Sequence, residues 1–356
     1  MKCPRIEVRL SDITFNAEQI IRLAQRSGVE VVGVTKAFHG DVNIARAMLE
    51  GGIKKLADSR LASIATLRKA FPSVPVMLIR SPGYHECEEA VRLADVSLIS
   101  SVKTAEWLDQ AAKSQGVTHD VVLMVDLGDL REGVLPEHAV DVGRQICALR
   151  NVRLVGLGAE LGCIAGVLPS PPAIHTLRQV RAELQSMCEV ELDVMSPGSS
   201  SALFLLEQGE MPDFVNQLRI GSVILTGTDD MRGRIIPWLR HHAFMLVAEL
   251  LEVYTKHSAP FGPLGTNAFG EMPVYEDLGM RKRGILSLGR VDCHDGDLTP
   301  LDEGVRLLGI SSDHAALDLT DCRRDFQVGD EVAFHIGYTS IVRCFTSPFV
   351  HRYYIR

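Results

Sequence analysis

Between about residue 29 and residue 227, short apolar, β-branched runs alternate with longer stretches in which apolar residues recur every three or four positions. The runs are VEVVGVT (29–35), KKLAD (54–58), VPVMLI (74–79), VSLIS (96–100), DVVLMVD (120–126), VRLVGLG (152–158), VELDVM (190–195) and QLRIGSVIL (217–225), eight in all. The amphipathic stretches between them include Asp41 to Glu50, Val102 to Gln115, Pro136 to Leu149 and Ala173 to Cys188. Alternating strand and helix units imply parallel strands, and eight of them in about 200 residues predict an α/β fold, a closed (β/α)8 barrel of the TIM type. An open doubly wound sheet is the competing topology, but the first strand-to-helix turn reads TKAFHGD and lacks GxGxxG.

Ahead of the barrel, Ile6, Val8 and Leu10 alternate as in a strand, and Ser11 is placed to cap a helix from about Asp12 to Arg26. After Thr228 the texture changes to strand-like runs, ILSLGRV (285–291), VRLLGI (305–310), AALDLT (315–320) and EVAFHI (331–336), with a Gly- and Pro-rich stretch from His257 to Glu271. The expected organisation is a barrel domain over 1–228 and a mainly β domain over 229–356, with which the first ten or so residues can pair.

With 46% hydrophobic and 23% charged residues in 356, the chain has the composition of a globular protein with a large core. A net charge of −8 and the lack of any Lys/Arg run argue against nucleic acid or an anionic membrane as partner, leaving a small molecule as the expected one. The eight cysteines are scattered without a CxxC pair or a signal peptide ahead of them, which reads as reduced thiols in a cytoplasmic protein. No window has the roughly 18 uninterrupted apolar residues of a membrane span.

Active sites of such barrels lie at the C-terminal ends of the strands. Lys36 follows the first run, where a barrel would desolvate its ammonium as a carbonyl-binding lysine requires; a solvated strand-end lysine is the plainer alternative. After the seventh run comes MSPGSSSAL (195–203), opening a helix over Ser200 to Gln208. Small residues and the hydroxyls of Ser199, Ser200 and Ser201 suit a phosphate there, although they also suit a simple helix cap. Phosphate sites in these barrels are often built after strands seven and eight, and Gly221 and Ser222 in QLRIGS can complete the cradle. A lysine on strand one facing a phosphate cup from strands seven and eight is the arrangement that a phosphorylated aldehyde, pyridoxal 5′-phosphate, needs. Arg219 then has a role beside the pyridine nitrogen, keeping it unprotonated and suiting an enzyme that only removes and returns a proton. The alternative is a surface arginine.

The motifs VGVTKAFHGD, KLADSR, MVDLGDLREGV, MSPGSSSAL, NQLRIGSVILTG, LGRVDCHDGDLTP, LGISSDHAALDLTD and TSPFV together resemble the alanine racemase family of amino-acid racemases, within it the ornithine racemases, over nearly the whole chain. The resemblance implies a barrel binding pyridoxal 5′-phosphate, a β domain after it, and a head-to-tail homodimer whose active sites use both subunits. It implies that Lys36 carries the cofactor, that Arg219 faces its ring nitrogen, and that Arg131 contacts the phenolic oxygen and the substrate carboxylate. Ser200, Ser201, Gly221 and Ser222 match the phosphate loops, Tyr338 joins the cofactor-binding residues, and Ser312 and Asp313 match the segment that reaches the partner's substrate.

Departures from the family pattern fall at three places. The turn KAFHG has no tyrosine for the phosphate and offers His39 instead. Glu160 stands where ornithine racemases carry asparagine, and becomes, with Asp295, a candidate for binding the distal ammonium of a basic substrate. Arg290 replaces the opposite-face tyrosine and cannot act as an acid at ordinary pH. VDCHDGD (291–297) then offers Cys293 first, His294 next and Asp292 third as the second acid/base, with Asp313 and His314 behind them. An acidic turn with a solvated histidine is the plainer reading. A metal held by Asp292, Cys293, His294 and Asp297 is disfavoured because ligands so bunched seldom close a shell. The expected activity is therefore racemisation of ornithine or another basic amino acid. Decarboxylation, metal-assisted aldol cleavage and a non-enzymatic cofactor-homeostasis role are the rivals.

Overall fold

Strand β1 (Arg5–Arg9) runs directly into the helix Leu10–Gln25. Eight strands follow: β2 (Glu30–Val34), β3 (Lys55–Asp58), β4 (Val76–Leu78), β5 (Val96–Ile99), β6 (His119–Met124), β7 (Val152–Gly158), β8 (Val194–Ser196) and β9 (Gln217–Ile220). The structure is a computed structural model and describes residues 1–272 and 274–356. These eight strands form one parallel sheet in the order β8, β7, β6, β5, β4, β3, β2, β9. Its two edges meet: Asn216 N–H donates to Met195 O (3.2 Å), Met195 N–H to Asn216 Oδ1 (2.9 Å) and Arg219 N–H to Gly198 O (3.1 Å). The predicted eight-stranded barrel is thus the fold of residues 10–241, which form one compact unit.

Alternation along the strands fills this barrel. Val32 and Val34, and likewise Val122 and Met124, lie two residues apart and share one face, where they pack with Ala57, Met77 and Leu98 in a single buried cluster. Helices cover the other face. Asp41 starts Val42–Glu50 by accepting from Asn43 N–H (3.0 Å) and Ile44 N–H (3.3 Å), and Ser101 starts Val102–Gln115 by accepting from Thr104 N–H (3.1 Å). Pro136 and Pro171 open Pro136–Cys147 and Pro171–Cys188, where a missing N–H costs nothing.

Several boundaries differ from the sequence pattern. The helix expected from Asp12 starts at Leu10 because β1 leaves no room for a cap, so Ser11 lies inside its first turn. QLRIGSVIL breaks at Gly221 into β9 and the short helix Ser222–Thr226, an apolar run long enough to hide both periods. Of VELDVM only its last two residues enter β8.

The other unit comprises residues 1–9 and 242–356. After the two-residue β10 (Thr228–Asp229) and β11 (Arg234–Ile235) of the barrel unit come β12 (Phe244–His257), β13 (Met280–Leu286), β14 (Leu298–Pro300), β15 (Arg306–Ile310), β16 (Ala315–Asp318), β17 (Glu331–Ile336) and β18 (His351–Ile355). They pair in the order β14, β17, β12, β13, β16, β15, and β1 lies between β12 and β18. The 14-residue β12 serves both halves of this sheet, pairing with β1 and β17 through its first part and with β13 beyond a bulge at Leu250/Glu252. The alternation of Ile6 and Val8 in β1 buries both side chains.

At the N-terminal end of the barrel, buried His119 opens β6 with Nε2 2.9 Å from Ser97 Oγ in β5. Burial pulls its imidazole down to about 4 from the ordinary 6.5. Between those values the unfolded chain takes up a proton that the folded ring refuses. Nothing is lost above 6.5, and stability falls as pH drops from 6.5 toward 4. Between about pH 7.5 and about pH 5, urea unfolding of the natural chain should lose about 2 kcal/mol more than that of His119→Gln. Equal losses would show that the ring titrates normally.

Candidate active site

Lys36 begins a one-turn 3-10 helix (Lys36–Phe38) at the C-terminal end of β2. The preceding Thr35 is wholly buried, and its N–H donates to Ala57 O (2.8 Å) while Oγ1 donates to Asp58 Oδ2 (2.6 Å). Its carbonyl accepts from Phe38 N–H (3.1 Å) and Gly40 N–H (3.3 Å), closing the turn. Asp58 ends β3, accepts from Arg60 N–H (2.9 Å) and is pushed above the usual carboxylate range by burial, against the pull of its bond from Thr35. The turn that presents Lys36 is therefore held from below by a neighbouring strand. Lys36 itself is exposed, as is His39. The burial expected of this strand end is not supplied by the chain around Lys36.

β2 pairs with β9, Gly33 opposite Ile220, so the strand carrying Lys36 and the strand carrying Arg219 are neighbours. Gly221 continues β9 against β2: a Cβ there would lie 3.0 Å from Val34 Cβ and 3.1 Å from Val34 O. Arg219 is 2% exposed. Its Nη1 donates to Ser196 O (2.6 Å) and Ser196 Oγ (2.7 Å), and Nη2 donates to Ala159 O (2.7 Å) and Glu160 Oε2 (3.1 Å). Beside it, Ser200 Oγ accepts from Gly221 N–H (3.1 Å) and Val223 N–H (3.4 Å), gathering two amides around one oxygen. Ser199 Oγ lies 3.5 Å from Ser201 Oγ, but buried Ser201 donates to Leu161 O (2.7 Å), so this hydroxyl fastens the loop after β7 and does not join the cradle.

The loops after β6 and β7 are bound together. Buried Asp129 accepts from Ile164 N–H (3.0 Å) and Cys163 N–H (3.1 Å). Burial acts to raise its pKa, but the backbone bonds from Ile164, Cys163, Ala165 and Val167 outweigh it and hold the carboxyl below the usual range. Arg131 pairs with Glu132 and donates from Nη1 to Cys163 Sγ (2.6 Å), so it reaches the same loop. Arg131, Glu160 and Arg219 thus belong to one fixed rim.

Over residues 8–229 the chain matches the family model of the alanine racemase N-terminal domain. The chain belongs to the alanine racemase family. It is 37% identical over 354 residues to a lysine racemase of Thermotoga maritima, covering 99% of each chain. It is 33% identical over 350 residues to an ornithine racemase of Acetoanaerobium sticklandii, covering 98% of this chain and 99% of that one. Its fold is similar to that of alanine racemase from Bartonella henselae with covalently bound pyridoxal phosphate, at a TM-score of 0.77 and 17% identity over 100% of both chains.

The residues expected from the second domain of an alanine racemase fare unequally. Cys293 is wholly buried, its thiol donates to Gly289 O (3.4 Å), and burial followed by Asp292 pushes it up to about 12. Such a thiol does not exchange protons with a substrate in neutral solution, so the leading candidate for the second acid/base is a structural residue. Asp292 is structural too, since its carboxylate accepts from Ser347 Oγ–H (2.7 Å) and Gly289 N–H (3.2 Å). Asp297 accepts from Ser340 N–H (3.0 Å), and no group of three or more His, Cys, Asp or Glu side chains among the described residues is gathered as metal ligands. His294 is half-exposed, with Nδ1 3.3 Å from Asp295 Oδ1. Arg290 lies between Glu271 (3.2 Å) and Asp295 (3.4 Å) and over the Phe269 ring.

Ser312 and Asp313 are exposed and bonded to each other (2.7 Å). Gly289 allows their backbone to come close, since a Cβ there would sit 1.8 Å from Ser312 O, and Arg290 N–H donates to Ser311 O (2.9 Å). Two separate motifs of this unit thereby meet. Tyr338 is half-buried at the start of the helix Tyr338–Thr346.

Thr35, Asp58, Ser196 and Asp129 escaped the sequence reading. The available signal was polarity at the end of an apolar run, as in KLADSR. Replacing Asp129 with Asn removes the charge that four amides share. Hydrogen exchange at Cys163 and Ile164 should accelerate with the barrel strands unaffected, at a stability loss of about 1–3 kcal/mol. Unchanged exchange at both amides would refute the role of Asp129 in binding the two loops.

Proposed function

We propose that the chain is a pyridoxal 5′-phosphate-dependent amino-acid racemase acting on basic amino acids, lysine and ornithine foremost. The observation that carries the reading is the pairing of β2 with β9, which puts Lys36, Arg219 and the Ser200–Gly221 cradle on one rim of the barrel. These residues fit the cofactor: a primary amine, a cluster of amide and hydroxyl groups suited to a phosphate, and a buried guanidinium fixed at the end of β9. Lys36 would hold the aldehyde, Ser199, Ser200, Gly221 and Ser222 the phosphate, and Arg219 the ring nitrogen, with Tyr338 and His39 as further contacts. Bound there, the cofactor supplies an electron-withdrawing ring that acidifies the substrate α-proton.

The chain's own residues then bind and move protons. Arg131 holds the substrate carboxylate, and Lys36 Nζ takes or returns the α-proton on one face. Racemisation requires a second group opposite. With Cys293 and Asp292 engaged internally, His294 beside Asp295 is the candidate, offered by the partner subunit of a homodimer in which residues 229–356 complete the neighbouring site. Ser312 and Asp313 approach the substrate from the same unit. The likeness to lysine and ornithine racemases over nearly full length supports a substrate with a distal ammonium. The eight cysteines are free thiols, which accords with a cytoplasmic enzyme.

The test is chiral chromatography of L- and D-lysine and ornithine, with an absorption spectrum of the purified protein. The natural chain should interconvert the enantiomers and show the band of lysine-bound cofactor. Lys36→Ala should lose the band and at least about a hundredfold in rate. A band that survives in Lys36→Ala, or release of CO₂ or an aldehyde without inversion, would overturn the assignment.

A further inference from the structure

A guanidinium 2% exposed is tolerable only where its charge is compensated. Of the four acceptors around the terminal nitrogens of Arg219, Ser196 O, Ser196 Oγ and Ala159 O are neutral, and Glu160 at 3.1 Å is the one formal anion. Arg131 is kept charged against its own burial chiefly by Glu132, and Glu160 adds a smaller attraction from a distance. Glu160 thus lies in the field of two site arginines. It is itself only 14% exposed in its side chain, so solvent screens the pair weakly.

We propose that Glu160 acts through Arg219 as a positioning and charge-setting residue, partly cancelling the positive charge presented to the cofactor ring and so raising the proton affinity of the Lys36-linked group. The inference rests on the reading that Lys36 carries pyridoxal 5′-phosphate beside Arg219. It replaces the expectation that Glu160 receives the distal ammonium of a basic substrate, because that carboxylate is already paired with the buried Arg219.

The test is a pH titration of the absorption band in the full-length, cofactor-loaded protein, natural and with Glu160→Gln or Glu160→Asp. Removing the anion leaves Arg219 uncompensated, which disfavours a proton nearby. The midpoint of Glu160→Gln should therefore fall by at least about half a pH unit, while Glu160→Asp, which keeps the charge, should stay near the natural value. A purely structural salt bridge would not move this midpoint. Glu160→Asn serves as the neutral variant if Glu160→Gln does not fold. An unchanged midpoint overturns the proposal, and an unchanged midpoint with KM raised for lysine and ornithine but not alanine returns Glu160 to substrate recognition. Absence of the band in the natural chain defeats the cofactor reading, and this inference with it.

Discussion

A parallel barrel closes only if the two edges of its sheet satisfy each other, and here the seam between β8 and β9 is short. Backbone bonds at Asn216 and Arg219 make the junction, and the Arg219 side chain then crosses it to the carbonyls of Ser196, which ends β8, and Ala159, just past β7. One residue thus fastens three strand ends at the rim where Lys36 emerges. Replacing it with a neutral side chain would strip the Ala159 carbonyl and the Glu160 carboxylate of their bonds from the guanidinium, an expensive loss in a low-dielectric setting. Fold and site therefore share a residue, and neither can be altered there alone.

The barrel was legible because its strands are apolar on both faces and punctuated by helices of a different period. All eight runs contain strands, and the helix Val102–Gln115 has the boundaries its pattern suggests. Failures cluster where local pattern carries too little information. QLRIGSVIL is apolar throughout, so nothing in hydrophobicity marks the passage from β9 into a helix at Gly221. The long strand β12 and the helix Tyr338–Thr346 went unread because their pairing and burial are decided by distant segments, β1 and β17 among them.

The candidate site was legible by residue type and less so by state. Lys36, Arg219, Ser200 and Gly221 lie on adjacent elements because β2 pairs with β9, and their placement after apolar runs signalled it. Burial is a different matter. VDCHDGD looks like a cluster of proton carriers, yet Cys293 and Asp292 turn inward to bond the backbone and hydroxyl of their own unit while His294 stays at the surface. Glu160 could be read from sequence as an acidic substitution and as a candidate for binding a substrate ammonium. That its partner is Arg219 depends on how the strand ends come together.

The bond from two amides to Ser200 Oγ bears on how the rim would accept an anion. Gly221 and Val223 are not left with bare donors, since the hydroxyl already occupies the spot toward which they point. On the proposed reading, an oxyanion bound there would take these two amides and leave the Ser200 hydroxyl free to donate to it. Occupancy would then be decided by charge, because an anion outbids a neutral hydroxyl for the same amides, whereas an uncharged molecule has no such advantage over the serine already in place.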